Sequence, residues 1–134
     1  MRLLVDTGVF SAAHSRRRRP EHEPLLARLP GTQLNLAEQT VAELRFGALV
    51  AAWGDARRDR LEHAIQAATV VPVTDALVST VAQLRFRCRR VGHPLGSVAH
   101  HSDLWIAATA IHIGAQLVTV DGVFGDVPGL GALR

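Results

Sequence analysis

The most informative absence in this sequence is lysine, because all 15 basic residues are arginine. Without lysine there is no phosphate-binding P-loop, no Schiff-base chemistry and no phosphoryl-transfer site that requires an ammonium group. The single cysteine, Cys88, excludes an internal disulfide and a CxxC redox or zinc motif. No run approaches the roughly 18 consecutive apolar residues of a membrane span, and no signal peptide is recognisable. We therefore expect a soluble, cytoplasmic protein.

The composition is that of a folded protein with a basic surface. Hydrophobic residues make up 48% of the 134 residues and charged residues 20%, which predicts one globular domain over residues 1–134. The net charge of +3 is carried by arginine, which binds phosphates with two parallel hydrogen bonds. An anionic partner such as RNA or an acidic protein is one explanation. A compositional bias of the source genome is an equally good one.

The stretch Leu3-Leu4-Val5-Asp6 organises the prediction of fold and site. A short, wholly apolar run is typical of a strand buried on both faces of a parallel sheet. An unpaired carboxylate is costly to bury, so Asp6 should lie where the strand emerges. In open α/β sheets, ligands bind at the carboxyl ends of the strands. The alternative is that Asp6 only caps the next helix, since Asp is a favoured N-cap residue.

Strands and helices alternate along the rest of the chain. Three further strands are predicted near residues 32–36, 70–73 and 116–120, with a short edge strand in the tail. Helices are predicted near residues 7–14, 24–29, 37–52, 56–68, 75–90 and 104–113, and residues 16–19 form an arginine loop. This alternation predicts an α/β fold: a three-layer α/β/α sandwich with a mainly parallel sheet of four to five strands.

Several local features can be tested against a structure. Ser102 is expected to cap the helix that follows it, and Gly114 to end that helix in the C′ position. Ala52 is placed on the inward stripe of its helix. Phe46 and Trp105 lie in apolar helices, so core packing is favoured over stacking on RNA bases.

Four acids lie at points that the topology can bring together. Asp6 follows strand one and Asp121 follows strand four, whereas Glu43 and Asp103 lie early in helices. Right-handed crossovers place the carboxyl ends of all strands, and the starts of the following helices, along one edge of the sheet. We therefore expect these four carboxylates to meet at that edge.

A shared cation is the physical remedy for four negative charges in one place. Carboxylates without cysteine suit hard ions, Mg²⁺ or Mn²⁺, which activate water and stabilise the leaving oxygen when a phosphodiester is cut. Thr119 precedes Asp121 by two residues, hence on the same strand face, and can orient a carboxylate. Thr7 is expected to act similarly beside Asp6.

Four blocks carry a resemblance to a known family and cover nearly the whole chain: LLVDTGVF, TVAELRFGA, HSDLWIAATA and LVTVDGVFGDVPGL. In this order they resemble PIN-domain ribonucleases, and more narrowly the VapC toxins of bacterial VapBC toxin–antitoxin modules. Block by block, the resemblance implies Asp6, Glu43, Asp103 and Asp121 as metal-binding and catalytic acids, with Thr119 as the supporting catalytic hydroxyl. The chain departs from the family pattern at Val120 and Gly122.

The resemblance also implies an activity and partners. It implies a Mg²⁺- or Mn²⁺-dependent endoribonuclease toxin that cleaves structured RNA, either tRNA or rRNA. It further implies a homodimer and a cognate VapB-type antitoxin whose tail blocks the site. The residues by themselves lead only to a hard-metal phosphodiesterase on an α/β scaffold.

Other interpretations stay open at this point. The acids also fit a non-catalytic acidic metal-binding or protein-interaction module. His100 and His101 are better explained as part of a solvated loop than as phosphate contacts or proton donors, and their adjacency does not match zinc spacing. Asp126 is better explained as a turn residue than as a fifth acid of the site.

Overall fold

The computed structural model describes residues 2–14, 20–29 and 31–133. Within these ranges five strands form one fully parallel sheet. The strands are β1 (Leu3–Val5), β2 (Leu34–Ala37), β3 (Thr69–Val71), β4 (Gln116–Val118) and β5 (Gly131–Leu133). Their spatial order is β3-β2-β1-β4-β5, so β1 lies in the centre and the tail supplies the predicted edge strand.

Six α-helices are described: α1 (Thr7–Ala13), α2 (Glu23–Leu26), α3 (Glu38–Val50), α4 (Asp55–Ala67), α5 (Asp75–Arg90) and α6 (His101–His112). Short 3-10 turns cover Pro20–His22, Pro94–Gly96, Val98–His100 and Gly122–Phe124. In the described part of the chain, no helix combines the length and the apolar character needed to cross a membrane.

The helices cover both faces of the sheet and create two cores. Leu4 of β1 packs into a cluster with residues of α5 and α6. Its neighbours Leu3 and Val5 point the other way, into a cluster with residues of α1, α3 and α4. Successive side chains of a strand point to opposite faces, so a central strand needs apolar residues at every position. The predicted three-layer sandwich with a buried first strand is confirmed.

The predicted helix faces and ends are confirmed in several places. The inward stripe of α5 is buried as expected and consists of Leu77, Val81, Leu84 and Cys88. The hydroxyl of Thr74 accepts a hydrogen bond from the backbone N–H of Leu77 at 3.2 Å and caps that helix. Gly114 follows α6 with a φ of 65°, the left-handed conformation expected of a C′ glycine.

Three local predictions are wrong. Ala52 is exposed with a φ of 52°, because α3 ends at Val50 and the chain turns before the inward stripe reaches it. Ser102 lies inside the first turn of α6, because a 3-10 turn runs directly into the helix and starts it at His101. Phe46 is 67% exposed, since it lies on the face of α3 opposite the core.

Most other differences concern the ends of elements. β3 and β4 are shorter than predicted, β2 begins two residues later, and α2 ends before its predicted last turn. Trp105 is half-buried and packs against the core, as expected. The predicted arginine loop, residues 16–19, lies outside the described residues.

Candidate functional site

Asp6 is the innermost acid of the candidate site. It directly follows β1, and its backbone N–H donates to the carbonyl of Val118 at 3.0 Å, which extends the pairing between β1 and β4. Only 9% of the residue is exposed. Asp6 occupies the N-cap position of α1, where the backbone N–H groups of Thr7 and Gly8 favour its charged form, although among the described residues no capping hydrogen bond of full geometry is formed. Helix capping alone therefore does not account for this aspartate.

Thr119 connects Asp6 to the end of the neighbouring strand. The hydroxyl of Thr119 is fully buried and donates to Oδ2 of Asp6 at 2.7 Å. The hydroxyl oxygen of Thr119 in turn accepts a hydrogen bond from the backbone N–H of Asp121 at 3.0 Å. One hydroxyl thus fixes both the carboxylate after β1 and the backbone of the acid after β4.

Asp121 lies at the surface, where the chain leaves the sheet. Its Oδ1 accepts from the backbone N–H of Val123 at 3.0 Å and caps the 3-10 turn that follows. One carboxylate oxygen therefore holds the local backbone, and the residue remains exposed. Within the described chain, no hydrogen bond to the other oxygen, Oδ2, is found, which leaves it available to a ligand.

The two remaining acids come from helices. Glu43 lies in the second turn of α3, one turn later than a helix start would place it, and is exposed. Asp103 lies in the first turn of α6 and is half-buried. His100 Nδ1 lies 3.3 Å from Oδ2 of Asp103, so this histidine is positioned to orient the carboxylate.

The pKa values of two acids show that the four charges act on one another. Burial, with a smaller contribution from the charge of Asp121, raises the pKa of Asp6, and hydrogen bonds from the Thr119 hydroxyl and the backbone of Thr7 and Gly8 oppose this increase. Partial desolvation, followed by the charges of Asp103 and Asp6, raises the pKa of Glu43. The four carboxylates therefore lie within electrostatic range of their neighbours at one edge of the sheet.

The fold explains why this edge collects them. β1 and β4 are adjacent, yet the chain leaves β1 towards β2 on one side and reaches β4 and β5 on the other. This reversal of direction is a topological switch point, where the loops diverge and leave a crevice for a ligand. Asp6 and Asp121 follow the two strands that flank the switch point.

The side chains of the four acids are not arranged as a complete set of metal ligands. Across residues 2–14, 20–29 and 31–133, no group of three or more His, Cys, Asp and Glu side chains is arranged to hold a metal ion. The chemistry of the donors nevertheless fits a hard cation, since they are carboxylate oxygens whose charges disfavour ionisation of Asp6 and Glu43. Mg²⁺ suits such a site because it keeps several of its waters and needs few direct protein ligands.

Two threonines behave differently from the sequence-based expectation. The hydroxyl of Thr7 donates to that of Thr40 at 3.0 Å and joins α1 to α3, whereas Thr7 was expected to support a carboxylate. Thr40 is fully buried and was not predicted as part of the site. It lies three residues before Glu43, hence one turn away on the same side of α3. The three-residue spacing between Thr40 and Glu43 is the feature of the sequence that could have indicated Thr40 as a neighbour of the site.

A small cavity of about 250 Å³ lies between α1 and α3, and of the four acids only Glu43 lines it, together with Thr7 and Phe10 among others. Asp126 has a φ of 60° and lies in the turn before Val127, as expected of a turn residue. His101 is exposed at the start of α6.

The fold and the acidic edge define a class of parallel α/β proteins with carboxylates at the switch point, and comparison with known proteins identifies the family. The sequence profile of the PIN domain matches residues 3–130. The chain is 31% identical over 133 residues to "Ribonuclease VapC5" of Mycobacterium tuberculosis, covering 98% of this chain and 91% of the relative. It is equally identical over 133 residues to "Ribonuclease VapC4" of that organism, covering 95% and 92%. The protein belongs to the PIN domain family and, within it, to the VapC group.

Solved structures have the same fold. The VapBC2 complex of Rickettsia felis, bound to a DNA fragment from its promoter, matches with a TM-score of 0.80 at 19% identity and covers 99% of this chain and 98% of that chain. VapBC-5 of Mycobacterium tuberculosis, a member of the VapBC family of toxin-antitoxin systems, matches with a TM-score of 0.67 at 28% identity, covering 98% and 96%.

Proposed function

We propose that this protein is a metal-dependent endoribonuclease and the toxin of a toxin–antitoxin pair. The observation that carries the proposal is that Asp6 and Asp121 follow the two strands flanking the switch point and share the hydroxyl of Thr119. We infer that Glu43 and Asp103 complete the site, since the charges of Asp103 and Asp6 act on Glu43. Like charges that are held close together are unfavourable unless a cation compensates them. Membership of the VapC group, whose curated relatives are named ribonucleases, supports RNA as the substrate.

The four acids are the proposed ligands of Mg²⁺ or Mn²⁺, in part through water molecules. When bound, the cation supplies an activated water and stabilises the negative charge of the leaving oxygen. Thr119 keeps one oxygen of Asp6 fixed by its hydrogen bond, and Asp121 is anchored through the same hydroxyl. His100 orients Asp103 from the opposite side. These contacts set the carboxylates before the substrate binds, which is the purpose of outer-shell hydrogen bonds in metal sites.

The proposed substrate is structured RNA, of the tRNA or rRNA class, and the proposed partners are a VapB-type antitoxin and a second copy of the chain. The solved relatives in complex with antitoxins support the first partner. An exposed stripe on α3 supports the second: Phe46, Leu49 and Val50 are 67%, 65% and 69% exposed. Beside this stripe, Arg45 and Glu62 form an exposed ion pair at 2.7 Å, so the surface offers both charges to an identical, two-fold related surface.

Cleavage of total RNA tests the proposed activity. We expect cleavage with Mg²⁺ or Mn²⁺, none with a chelator, and a loss of at least about a hundredfold in Asp6→Asn and Asp103→Asn. Asp59→Asn removes an exposed acid of α4 outside the site and serves as the charge-matched control. Equal cleavage by the two site variants and the control would reject the assignment. Sequencing of cleavage ends in cells that express the protein then identifies the RNA.

A further inference from the structure

A second, larger concave surface lies between α5 and α6. It encloses about 970 Å³, and we call it the α5–α6 groove. Its polar and aromatic lining consists of Arg85, Phe86, Arg89, Arg90, His101 and Trp105. The remaining lining residues are aliphatic, and no acidic residue lines it within the described chain. The groove is therefore positive as well as partly apolar.

The positive charge of the groove is uncompensated. Arg85 is half-buried, Arg89 and Arg90 are exposed, and none of the three forms an ion pair with a described residue. Three neighbouring guanidinium groups repel one another and attract an anion. Since arginine binds phosphate with two parallel hydrogen bonds, a phosphate-rich ligand fits this surface.

Aromatic rings lie among the arginines. Phe86 is 61% exposed, and the guanidinium carbon of Arg90 lies 5.7 Å from the centroid of its ring. His101 meets Trp105 edge-on, with ring centroids 6.2 Å apart. Trp105 itself is half-buried against the core, so Phe86 is the ring that offers a stacking platform for an unpaired base, with arginines beside it for the backbone.

The groove and Asp103 lie at the same end of α6. His101 lines the groove and is the first residue of α6, while Asp103 lies two residues later in the same helical turn. Because residues two apart point to opposite sides of a helix, Asp103 faces away from the groove. A strand lying in the groove therefore reaches the acids by crossing the first turn of α6.

The close packing of the loop before α6 fixes one of the arginines. A Cβ atom at Gly96 would lie 2.7 Å from Cγ of Arg89 and 2.9 Å from its backbone nitrogen. The turn Pro94–Gly96 therefore packs directly on the stem of Arg89. This contact restricts the side chain at its base, which lowers the entropic cost of binding a ligand with its guanidinium.

We propose that the α5–α6 groove binds a single-stranded segment of the RNA next to the bond that is cut, with Arg85, Arg89 and Arg90 on phosphates and Phe86 stacked on a base. This inference rests on the proposed ribonuclease activity and specifies how the substrate is held. It predicts that unpaired nucleotides flank the cleavage site.

A second copy of the chain is a poorer occupant of the groove. Apart from Asp75 at its start, α5 carries no acid, so a two-fold contact through its last turns would bring arginines against arginines. An acidic peptide would neutralise the charge of the arginines but offers no base to stack on the exposed face of Phe86. Both occupants are outcomes that the experiment below detects.

RNA binding in chelator, where the proposed cleavage is stopped, tests the groove directly. The probe is a fluorescein-labelled, single-stranded oligouridylate, and the readout is anisotropy over a range of salt concentrations. The variants are Arg85→Gln, Arg89→Gln, Arg90→Gln and Phe86→Leu, which keep the aliphatic stem or the apolar volume. Arg87→Gln is the matched control, because Arg87 lies on the same helix but near Gly129, outside the groove.

Each arginine variant is expected to weaken binding about fivefold at 0.1 M salt and to reduce the slope of log affinity against log salt by about 0.7. Phe86→Leu is expected to weaken binding about tenfold with an unchanged slope, because stacking is lost and no charge is removed. The control should lose no more than about twofold, since its charge lies near the RNA without contacting a phosphate.

Groove variants that bind the probe like the control would overturn the inference. So would variants that keep RNA binding but lose self-association or antitoxin binding, since the groove would then serve a protein partner. The binding experiment can fail independently of the proposed ribonuclease activity. Groove-dependent binding by a protein that cleaves no RNA would reject the activity alone, whereas cleavage without groove dependence would reject the groove alone.

Discussion

Thr119 is the residue on which the geometry of the acidic edge depends most. Its hydroxyl is fully buried, donates to Asp6 and accepts from the backbone of Asp121. It touches neither substrate nor reacting atoms in the proposed reaction, so its role is to position the two acids. Without the Thr119 hydroxyl, the buried carboxylate of Asp6 keeps only the backbone N–H groups of Thr7 and Gly8 to offset its desolvation.

Thr119→Val removes this hydroxyl without changing the shape of the side chain. We expect the free energy of unfolding to fall by about 1–3 kcal/mol, and the Mg²⁺ concentration for half-maximal RNA cleavage to rise about tenfold or more. Thr119→Ser retains the hydroxyl and should restore the metal dependence. Denaturant titration and cleavage at varied Mg²⁺ separate the two effects. A Val variant that is destabilised but keeps the wild-type Mg²⁺ dependence would leave Thr119 a purely structural role.

The raised pKa of Asp6 gives the stability a defined dependence on pH. Burial and the charge of Asp121 raise the folded pKa above the ordinary 3.8. At a pH between the unfolded pKa and the higher folded pKa of Asp6, the folded state binds more protons than the unfolded state. The stability of the wild type therefore falls as the pH rises through this window. The Asp6→Asn variant cannot ionise at this position, so its stability does not fall in this way.

In metal-free buffer, Asp6→Asn is therefore expected to be more stable than wild type at neutral pH. The difference should shrink as the pH falls towards 3.8, because the wild-type carboxyl becomes neutral as well. Chemical denaturation at several pH values with a chelator measures it. A variant that is less stable at every pH, or a difference that does not change with pH, would contradict the assigned burial and charge interactions.

At the level of single residues, the sequence correctly placed Asp6, Thr119 and Asp121 after strands and Asp103 at the start of a helix. Glu43 lies one turn further into α3 than a helix start. The metal-binding role of the four acids stays a prediction.

The sequence did not predict Thr40, or that Thr7 would bond to it. Hydroxyl partners depend on the rotation of α1 against α3, which no pattern in either helix encodes. The exposure of Phe46 was missed for the same reason, since apolar neighbours do not reveal which side of α3 faces the core.

Among the elements, the long helices were predictable and the short turns were not. The stripe of α5 and the cap at Thr74 follow from local periodicity and hydrogen bonding. The start of α6 was misplaced because a 3-10 turn already satisfies the backbone groups ahead of His101. Such turns depend on what packs beneath them, as the contact between Gly96 and α5 illustrates.

Replacing two different glycines with alanine is expected to change the free energy of unfolding in opposite directions. Gly96→Ala places a methyl group 2.7 Å from Arg89 and should lower the free energy of unfolding by about 1–3 kcal/mol. Gly47 lies within α3 with nothing within 4 Å of an added Cβ, so Gly47→Ala should raise it by about 0.5–1 kcal/mol. Thermal or denaturant unfolding measures both. Equal effects at the two positions would show that the turn does not pack tightly on α5.

For the whole molecule, the layer architecture was predictable, whereas the strand order was not stated from the sequence. Apolar runs that alternate with amphipathic helices imply helices on both faces of a parallel sheet. The placement of β4 next to β1 arises from long-range packing of Leu4 and Leu117 in one core. That placement creates the switch point and brings residues 6 and 121 together across most of the chain.

The exposed stripe of α3 leads to a prediction about assembly. If Phe46, Leu49 and Val50 form the contact between two copies, Leu49→Glu should convert the dimer to a monomer, because it places two like charges at the two-fold contact. Sedimentation velocity measures the change. Val98→Glu alters a residue that is 70% exposed outside the stripe and is the control. A Leu49→Glu protein that stays dimeric would exclude this surface as the interface.

Binding of Mn²⁺ tests most directly whether the four separated acids share a cation. Calorimetric titration of the wild type and of Asp6→Asn, Glu43→Gln, Asp103→Asn and Asp121→Asn, with Asp59→Asn as control, needs no RNA and no activity. We predict that each of the four substitutions weakens Mn²⁺ binding by about tenfold or more, whereas the control binds like wild type. Four variants that bind Mn²⁺ as tightly as the wild type would contradict the shared site.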